Sequence, residues 1–502
     1  MAEYPGFKHG TLGEIDTTGA VPANRGRSKM GYVYFGTAPV HLVEDGAKNV
    51  NKPIVCNNMS DARKYLGYSD NWADYTLCEA MYMHFERKGI GPVIFINVLD
   101  PATHTASTGG SATLTPSNGR VTIVNAEEAV LDSLKVVSDG TTLVKGTHYT
   151  ASYDFTKKVI NIVEKTSGSL GTTALSITWT KVDPSAVTEA NVIGTTDGYG
   201  LNTGIYAVKN VYTTTGYIPA FMAAPGFSSI PNIHNVMYLN SQKINGHWNA
   251  KLFVDMPILD TQGNPITLAT APTWKESNGY NHDNEKVYFP ITKGTDGRTY
   301  HISCLAMANH QELFIQNGGI PYMSDSNTEC PIIENLYFGE GMTNRVYDDE
   351  IINRCLNANG INSAAYVGGR WVIWGMFAGS YNQDNADNVN VNDTALTMMY
   401  YVTNDFQHRR NIDIDKPMPI NAVKSIVAEE QARIDALLGI GALIYGKVVL
   451  DASAQARSDV YFGDFRILFK LTTTPLAKSL TAIAYYTAEG FVAYIDAMTE
   501  AA

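Results

Sequence analysis

The chain has 502 residues, of which 44 % are hydrophobic and 17 % are charged, a composition typical of folded domains with buried cores. This length predicts about two to four domains. The net charge of −12 argues against a protein that coats nucleic acid, because such a protein would carry a basic surface.

Residues 1–29 lack helical or strand periodicity and are rich in Gly, Pro, Thr and Asn, which predicts an extended N-terminal arm. About 25 extended residues span roughly 80 Å, enough to reach a neighbouring subunit. The basic cluster Arg25–Lys29 is more typical of solvated surface than of a binding site. No apolar run at the start is long enough for a signal peptide, and no stretch of about 18 apolar residues occurs anywhere, so we expect a chain made and kept in a cytosol.

Residues 30–100 predict a compact α/β unit. A helix is expected to begin at Ser60, whose hydroxyl would cap it, and to end before Gly67. A second helix carries His84 on its apolar face, where a histidine is usually a hydrogen-bonded core residue. The expected elements are the strand Tyr32–Phe35, the helices Ser60–Leu66 and Thr76–Arg87, and the strand Pro92–Val98.

The composition changes in residues 101–187, where Ser, Thr and Gly are abundant and the apolar runs are shorter than in residues 30–100. This spacing of short runs and turn signals predicts a small antiparallel sandwich or barrel, inserted as an independently folded unit. The expected strands are Gly119–Val124, Ser133–Val137, Thr147–Tyr153, Lys158–Val163 and Ala174–Trp179.

The remaining chain returns to larger elements. In residues 188–375 strands alternate with helices, which predicts a mostly parallel sheet. In residues 376–502 the strongest signal is an amphipathic helix, Asn421–Leu438. The other expected elements of this last part are a helix through Thr394–Arg410, a strand pair in Phe462–Leu471, a strand in Ser479–Tyr486 and a second arm at Gly490–Ala502.

The sequence offers little sign of catalysis. Asp197, His234 and Ser228 have the residue types of a hydrolase triad, but no serine sits in a Gly-x-Ser-x-Gly turn and these residue types occur in almost any long segment. Metal-binding His motifs and phosphate loops are also missing, and the five cysteines form no Cys-x-x-Cys pair. We therefore predict no catalytic residues, no metal and no cofactor.

Several stretches, taken in order, resemble one family, the sheath protein of contractile phage tails and related injection machines. The resemblance covers nearly the whole chain outside the insertion, although Met376–Ser380 departs from the family pattern. The stretches that carry it are Gly31–Pro39, Lys145–Asp154, Tyr217–Gly226, Leu356–Asn362, Gly369–Gly375, Gly441–Gly446, Asp459–Leu471 and Thr473–Leu480.

The resemblance implies a multidomain α+β and α/β fold. Its core unit is similar to subtilisin-like proteases but has no triad, and the β-sandwich or β-barrel insertion is a variable part. The implied order is an extended arm (1–29), an N-terminal α/β part (30–100), the insertion (101–187), the subtilisin-like sheath domain (188–375), a C-terminal α+β domain (376–489) and an extended C-terminal arm (490–502).

The resemblance also implies a mechanical function. Subunits would stack as hexameric rings around a tail tube in a metastable extended state, then contract and drive the tube through the target envelope, ejecting a genome if the particle is a phage. Its implied partners are copies of itself, the tube protein, and baseplate and terminator proteins, with no direct nucleic-acid binding and no membrane insertion. It would assemble in the host bacterial cytoplasm and reside in the virion tail.

Two sets of contact residues follow from this resemblance. The arms would each add a strand to a neighbour's sheet. Charged residues of the Asn421–Leu438 helix would face the tube. The alternative to a sheath subunit is a different self-assembling shell protein or a degenerate hydrolase-like enzyme. The arm candidates are Glu14, Ile15, Thr17, Val21, Tyr485, Phe491, Val492 and Tyr494, and the tube-facing candidates are Lys424, Glu429, Glu430 and Arg433.

Overall fold

The computed structural model describes residues 29–342, 347–384, 392–451, 461 and 463–501. The chain divides into two compact units, the first ending at Glu430 and the second beginning at Gln431. The predicted N-terminal arm, with its candidates Glu14, Ile15, Thr17 and Val21, lies outside the described residues. Across the ranges that are described, no helix is both long and apolar enough to span a membrane.

The first unit contains most of the strands. They are β1 (Met30–Gly36), β2 (Pro53–Cys56), β3 (Val93–Asn97), β4 (Gly110–Leu114), β5 (Arg120–Val124), β6 (Lys135–Ser138), β7 (Thr141–Leu143), β8 (Tyr149–Asp154), β9 (Val159–Glu164), β10 (Leu175–Trp179), β11 (Ile218–Ala223), β12 (Lys251–Asp255), β13 (Glu285–Tyr288), β14 (Ile291–Gly294), β15 (Thr299–Tyr300), β16 (Ile333–Tyr337), β17 (Ile361–Val367) and β18 (Arg370–Trp374). The second unit adds β19 (Leu443–Leu450) and β20 (Ile467–Thr473).

The α-helices are α1 (Met59–Tyr65), α2 (Leu77–Met81), α3 (Glu189–Ile193), α4 (Val211–Thr215), α5 (Pro231–Leu239), α6 (Ala271–Ser277), α7 (Ile302–Gln316), α8 (Asp349–Cys355), α9 (Asp393–Arg410), α10 (Ile420–Gly439) and α11 (Glu489–Glu500). One π-helical segment, Tyr82–Arg87, continues α2. Short 3-10 helices cover Val40–Leu42, Gly46–Asn49, Leu131–Ser133, Pro184–Ala186, Gly204–Asn210, Asn357–Asn359 and Asn411–Asp413.

An eight-stranded sheet forms the centre of the first unit, in the order β18-β17-β13-β12-β11-β1-β3-β2. The inner pairs from β17 to β3 are parallel, and only the pairings of β18 and β2 at the two edges are antiparallel. Every residue of β1, β3, β11 and β12 is buried, as expected for a parallel sheet covered on both faces. The prediction of a mostly parallel sheet is therefore confirmed.

The β-rich segment after residue 101 folds around its own apolar cluster. It has two antiparallel sheets, β4-β10-β6-β7 and β5-β9-β8. All five predicted strands are present, with shifts of one or two residues, while β4 and β7 have no counterpart among the predictions. Because apolar residues alternate in β5 and β10, each strand turns one face toward this core. That this segment is an insertion able to fold independently stays a prediction.

Three local predictions need correction. The cap of α1 is Asn58, whose side chain accepts the Asp61 amide, and not Ser60. Ser479–Tyr486 contains no strand, although its residues are described. The expected extended arm at the C-terminus is instead the helix α11. The histidine prediction is confirmed, because the buried ring of His84 is held between the Tyr34 hydroxyl and Gln311 at 2.8 and 2.6 Å.

Candidate assembly surface

The C-terminal helix α11 is amphipathic, and every one of its residues is exposed. Its apolar side chains recur at intervals of three and four, so they form one stripe along the helix. Helices of globular proteins normally bury such a stripe, and a contiguous exposed one usually marks a contact surface. We name this set the α11 stripe: Phe491 (55 % exposed), Tyr494 (65 %), Ile495 (60 %) and Met498 (59 %).

The segment between β20 and α11 extends this apolar surface. Residues 474–487 have no regular secondary structure, and from residue 477 onward all are exposed. Four large apolar side chains stand in it, at 69 to 92 % exposure: Leu480, Ile483, Tyr485 and Tyr486. A chain segment so rich in exposed apolar groups gains free energy when another surface covers it.

The sheet of the second unit has two antiparallel strands, β19 and β20. A two-stranded sheet is marginal on its own in water and needs packing on a helix or further strands. Here the end of α10 supplies the packing through Ile434 and Leu437, both buried. Gly446 makes this contact possible, because a Cβ at that position would lie 2.1 Å from Cγ2 of Ile434.

Gln431 of α10 binds the backbone of β19 directly. Its side-chain oxygen accepts the Val448 amide at 2.7 Å, and its side-chain nitrogen donates to the Gly446 carbonyl at 3.2 Å. Gln431 thus occupies part of the β19 edge.

The predicted arm residues of the C-terminus all lie in this apolar region. Phe491 and Tyr494 belong to the α11 stripe, Val492 is 62 % exposed beside it, and Tyr485 is 83 % exposed in the preceding segment. The structure therefore brings these four residues to the surface. Their role in contacts between subunits stays a prediction.

The predicted tube-facing residues divide into two groups. Lys424 is exposed, and Glu429 is partly exposed and accepts a hydrogen bond from Arg410. Glu430, in contrast, is 1 % exposed and accepts hydrogen bonds from Arg409 and Arg410 at 2.6 to 2.7 Å. Glu430 is an internal ion-pair partner and offers no surface charge, so it cannot serve as a tube-facing residue. Arg433 has an intermediate exposure.

The residue types of a hydrolase triad are not assembled. Ser228 is buried and its hydroxyl accepts the Asp255 amide, while Asp197 caps its own exposed turn through the amides of Tyr199 and Leu201. His234 instead contacts Glu285, with Nε2 and Oε2 2.6 Å apart. Each group is held by a different partner, so none of the three activates another.

A buried charge network joins α9 to the central sheet. Lys286 contacts Asp325 at 2.5 Å and Asp393 at 3.1 Å, and Lys251 contacts Asp393 at 3.2 Å. Burial alone would raise the pKa of Asp393, but the two ammonium groups outweigh it and lower that pKa to about 2. Two positive and two negative side chains balance one another here, so the network fastens the first turn of α9 rather than offering a reactive group.

One group of side chains has the donors of a metal site. His234, His282 and Glu285 each place one ligand atom within 4.8 Å of the others. Burial lowers the pKa of His282, while the charge of Glu285 opposes that change. Sequence reasoning missed this group, because its members come from α5, a loop and β13 and follow no motif spacing.

Comparison with known proteins gives matches over nearly the full length, although no family model matches the chain. The tail sheath protein of Burkholderia phage BcepMu is 24 % identical over 495 residues, which is 96 % of this chain and 97 % of that protein. That relative is a structural protein and not an enzyme, in agreement with the prediction that this chain catalyses no reaction.

Three solved structures share the fold. A chain of the anti-feeding prophage baseplate has a TM-score of 0.54 at 12 % identity, covering 97 % of this chain and 100 % of that one. The contracted sheath complex of the extracellular contractile injection system PVC gives 0.52 at 10 %, covering 98 % and 99 %. A sheath tail protein of Desulfitobacterium hafniense gives 0.51 at 10 %, covering 94 % and 98 %. The predicted resemblance to contractile tail sheath proteins is thus confirmed in sequence and in fold.

Proposed function

We propose that this chain, which resembles contractile tail sheath proteins along nearly its whole length, is a structural subunit of such a sheath. Copies of the chain stack as hexameric rings around a tail tube in a metastable extended state. When the array is triggered, the subunits rotate and contract it, and the tube is driven through the target envelope. The stored energy is a difference in contact free energy between two arrangements of the same subunits.

The observation that carries this proposal is the match to a phage tail sheath protein over 96 % of this chain and 97 % of that protein. The exposed apolar surface of the second unit adds a physical reason, because such a surface gains free energy when a neighbouring subunit covers it.

We assign the contacts between subunits to the two ends of the chain. The N-terminal arm with Glu14, Ile15, Thr17 and Val21 adds a strand to a neighbour's sheet. At the other end, Tyr485, Phe491, Val492 and Tyr494 are covered by a neighbouring subunit. The main-chain hydrogen bonds of the strand added by the N-terminal arm keep subunits connected while their domains move.

The contact with the tube is assigned to charged residues near α10. Lys424 and Glu429 are exposed or partly exposed in the first unit, and Arg433 follows in the second. Reversing the charge of Lys424 with Lys424→Glu is expected to abolish assembly on the tube while self-assembly of the chain persists. Unchanged assembly on the tube would contradict this assignment.

The finer parts of the proposal follow from the same resemblance. Residues 188–375, which supply β11, β12, β13, β17 and β18 of the central sheet, are the subtilisin-like sheath domain, and residues 101–187 are the variable insertion. The ends of the sheath contact baseplate and terminator proteins. The subunit assembles in the host cytoplasm and resides in the virion tail.

The experiment that tests the proposal is co-assembly with a tail tube protein from the same source as this chain. Full-length chain and a version ending at Lys478 are each mixed with preformed tubes, and the material that sediments is analysed. The full-length chain is expected to sediment with the tubes as an ordered sheath, and the shortened chain to remain in the supernatant. Absence of the full-length chain from the tube fraction would refute the proposed function.

A further inference from the structure

A second candidate site lies in the first unit. His234 is on α5, His282 is in the loop that leads into β13, and Glu285 is the first residue of β13. Ligand atoms of the three side chains lie within 4.8 Å of one another. Two imidazoles and one carboxylate on three separate elements are thus gathered at one point of the fold.

Aromatic stacking fixes both rings in place. The ring of His234 lies on Tyr280, with centroids 3.8 Å apart and planes 9° apart. The ring of His282 lies on Tyr238 at 3.4 Å and 5°. The Glu285 carboxylate is also held, because its Oε1 accepts the His282 amide at 3.0 Å. Such supporting contacts orient the ligands of metal sites in proteins.

The hydrogen bond between His234 and Glu285 is a sufficient reason for those two residues to meet. It does not explain His282, whose ring nitrogens have no hydrogen-bond partner within the described part of the chain. His282 is also the partly exposed member of the group, whereas His234 and Glu285 are 1 % and 0 % exposed. The third donor therefore stands where an ion from solvent would enter.

We propose that His234, His282 and Glu285 bind one divalent transition-metal ion, and that Zn²⁺ fits this donor set best. Two histidines and one glutamate with an open fourth position are a known zinc ligand set. Bonds of about 2.0 to 2.1 Å place tetrahedral ligands roughly 3.4 Å apart. The Nε2–Oε2 pair of His234 and Glu285, now 2.6 Å apart, must therefore open slightly when the ion binds.

The bound ion would fasten α5 to β13 and to the loop before it. This joins a helix on one face of the central sheet to a strand within that sheet. The role is structural and independent of the sheath proposal, so a chain that assembles but binds no metal would refute this inference alone.

The test is equilibrium dialysis of tag-free, full-length chain against Zn²⁺ or Co²⁺ after removal of bound metal with a chelator. Wild type is expected to retain one ion per chain, and Co²⁺ is expected to give visible absorption of a low-coordinate site. The variant His282→Gln is expected to weaken binding by more than about 10-fold, since even losses of outer contacts cost 10- to 100-fold. Glu285→Gln, which keeps an oxygen for the His282 amide, is expected to weaken it as well.

His247→Gln is the matched control, because it removes an exposed histidine at another place in the same unit. It is expected to bind metal as wild type does, and circular dichroism should show that all variants are folded. Less than one ion per wild-type chain at saturating metal, or equal binding by wild type and His282→Gln, would overturn the proposal.

Discussion

Replacing two residues of the α11 stripe is expected to impair polymerisation without unfolding the subunit. Phe491 and Ile495 are 55 % and 60 % exposed, so more than half of each side chain is available for burial by a neighbour. Complete burial of such a side chain contributes about 1.5 to 3 kcal/mol. The exposed parts of the two therefore contribute roughly 2 to 3 kcal/mol together.

The double variant Phe491→Ser, Ile495→Ser removes this contribution. A free-energy loss of about 1.4 kcal/mol changes an equilibrium constant tenfold, so the critical concentration for polymerisation should rise about 30- to 150-fold. The assay is sedimentation of the purified chain over a concentration series, with circular dichroism of the supernatant to show that the subunit is folded.

The matched control is Ala493→Ser, Ala497→Ser. Both alanines are exposed on the opposite side of the same helix, so this variant makes two serine substitutions in α11 while leaving its apolar stripe intact. Its critical concentration should equal that of wild type. If the stripe variant also polymerises at the wild-type concentration, the α11 stripe is not a contact between subunits.

Three further predictions concern the stability of the isolated subunit, measured by urea unfolding. Glu430→Gln breaks the buried ion pairs with Arg409 and Arg410 and should lower the free energy of unfolding by about 3 to 5 kcal/mol. Glu429→Gln removes only a partly exposed ion pair and should lower it by no more than about 1 kcal/mol. Equal effects of the two variants would contradict the assignment of Glu430 as the buried partner of the arginines. Gly446→Ala should destabilise the second unit by about 1 to 3 kcal/mol, because the added Cβ would collide with Cγ2 of Ile434. In an Ile434→Ala background, which lacks Cγ2, the same substitution should cost less, and a neutral Gly446→Ala in the wild-type background would show that α10 does not pack this closely. Burial lowers the pKa of His84 from 6.5 to about 4. Between these pH values the unfolded chain binds a proton at this residue and the folded chain does not. The free energy of unfolding should therefore fall as the pH drops from 6.5 to about 4. The free energy of unfolding should depend less steeply on pH in His84→Gln than in wild type. An identical pH dependence would refute this role for His84.

The sequence was sufficient for the regular parts of the fold. The alternation of strands and helices in residues 188–375 predicts the parallel sheet, and apolar residues that recur at helical spacing predict α10. The five strands of the β-rich segment were predicted because their alternation is clear. The strand β7 was missed because it has only three residues, too few to show a period.

The C-terminus shows where local pattern fails. Ser479–Tyr486 alternates in part and suggested a strand, but a strand needs a partner, and none pairs with this segment among the described residues. Residues 490–502 are predicted to form an arm, whereas their apolar residues have the spacing of a helical stripe and the structure has the helix α11 there. Helix or strand at this point is decided by what the segment contacts.

The candidate sites depend on contacts between residues that are distant in sequence. Glu430 looked like a solvated helix residue, since its partners Arg409 and Arg410 stand on another helix. The adjacent arginines and adjacent glutamates were the available signal for this pairing. His234 and His282 offered no comparable signal, because only the fold brings α5 beside the loop before β13.

Electron microscopy of the purified full-length chain at high concentration tests the central claim most directly. A sheath subunit is expected to form helical tubes of six-fold symmetry with a wide, empty lumen. A uniform monomer, even when tube protein is added, would contradict the account.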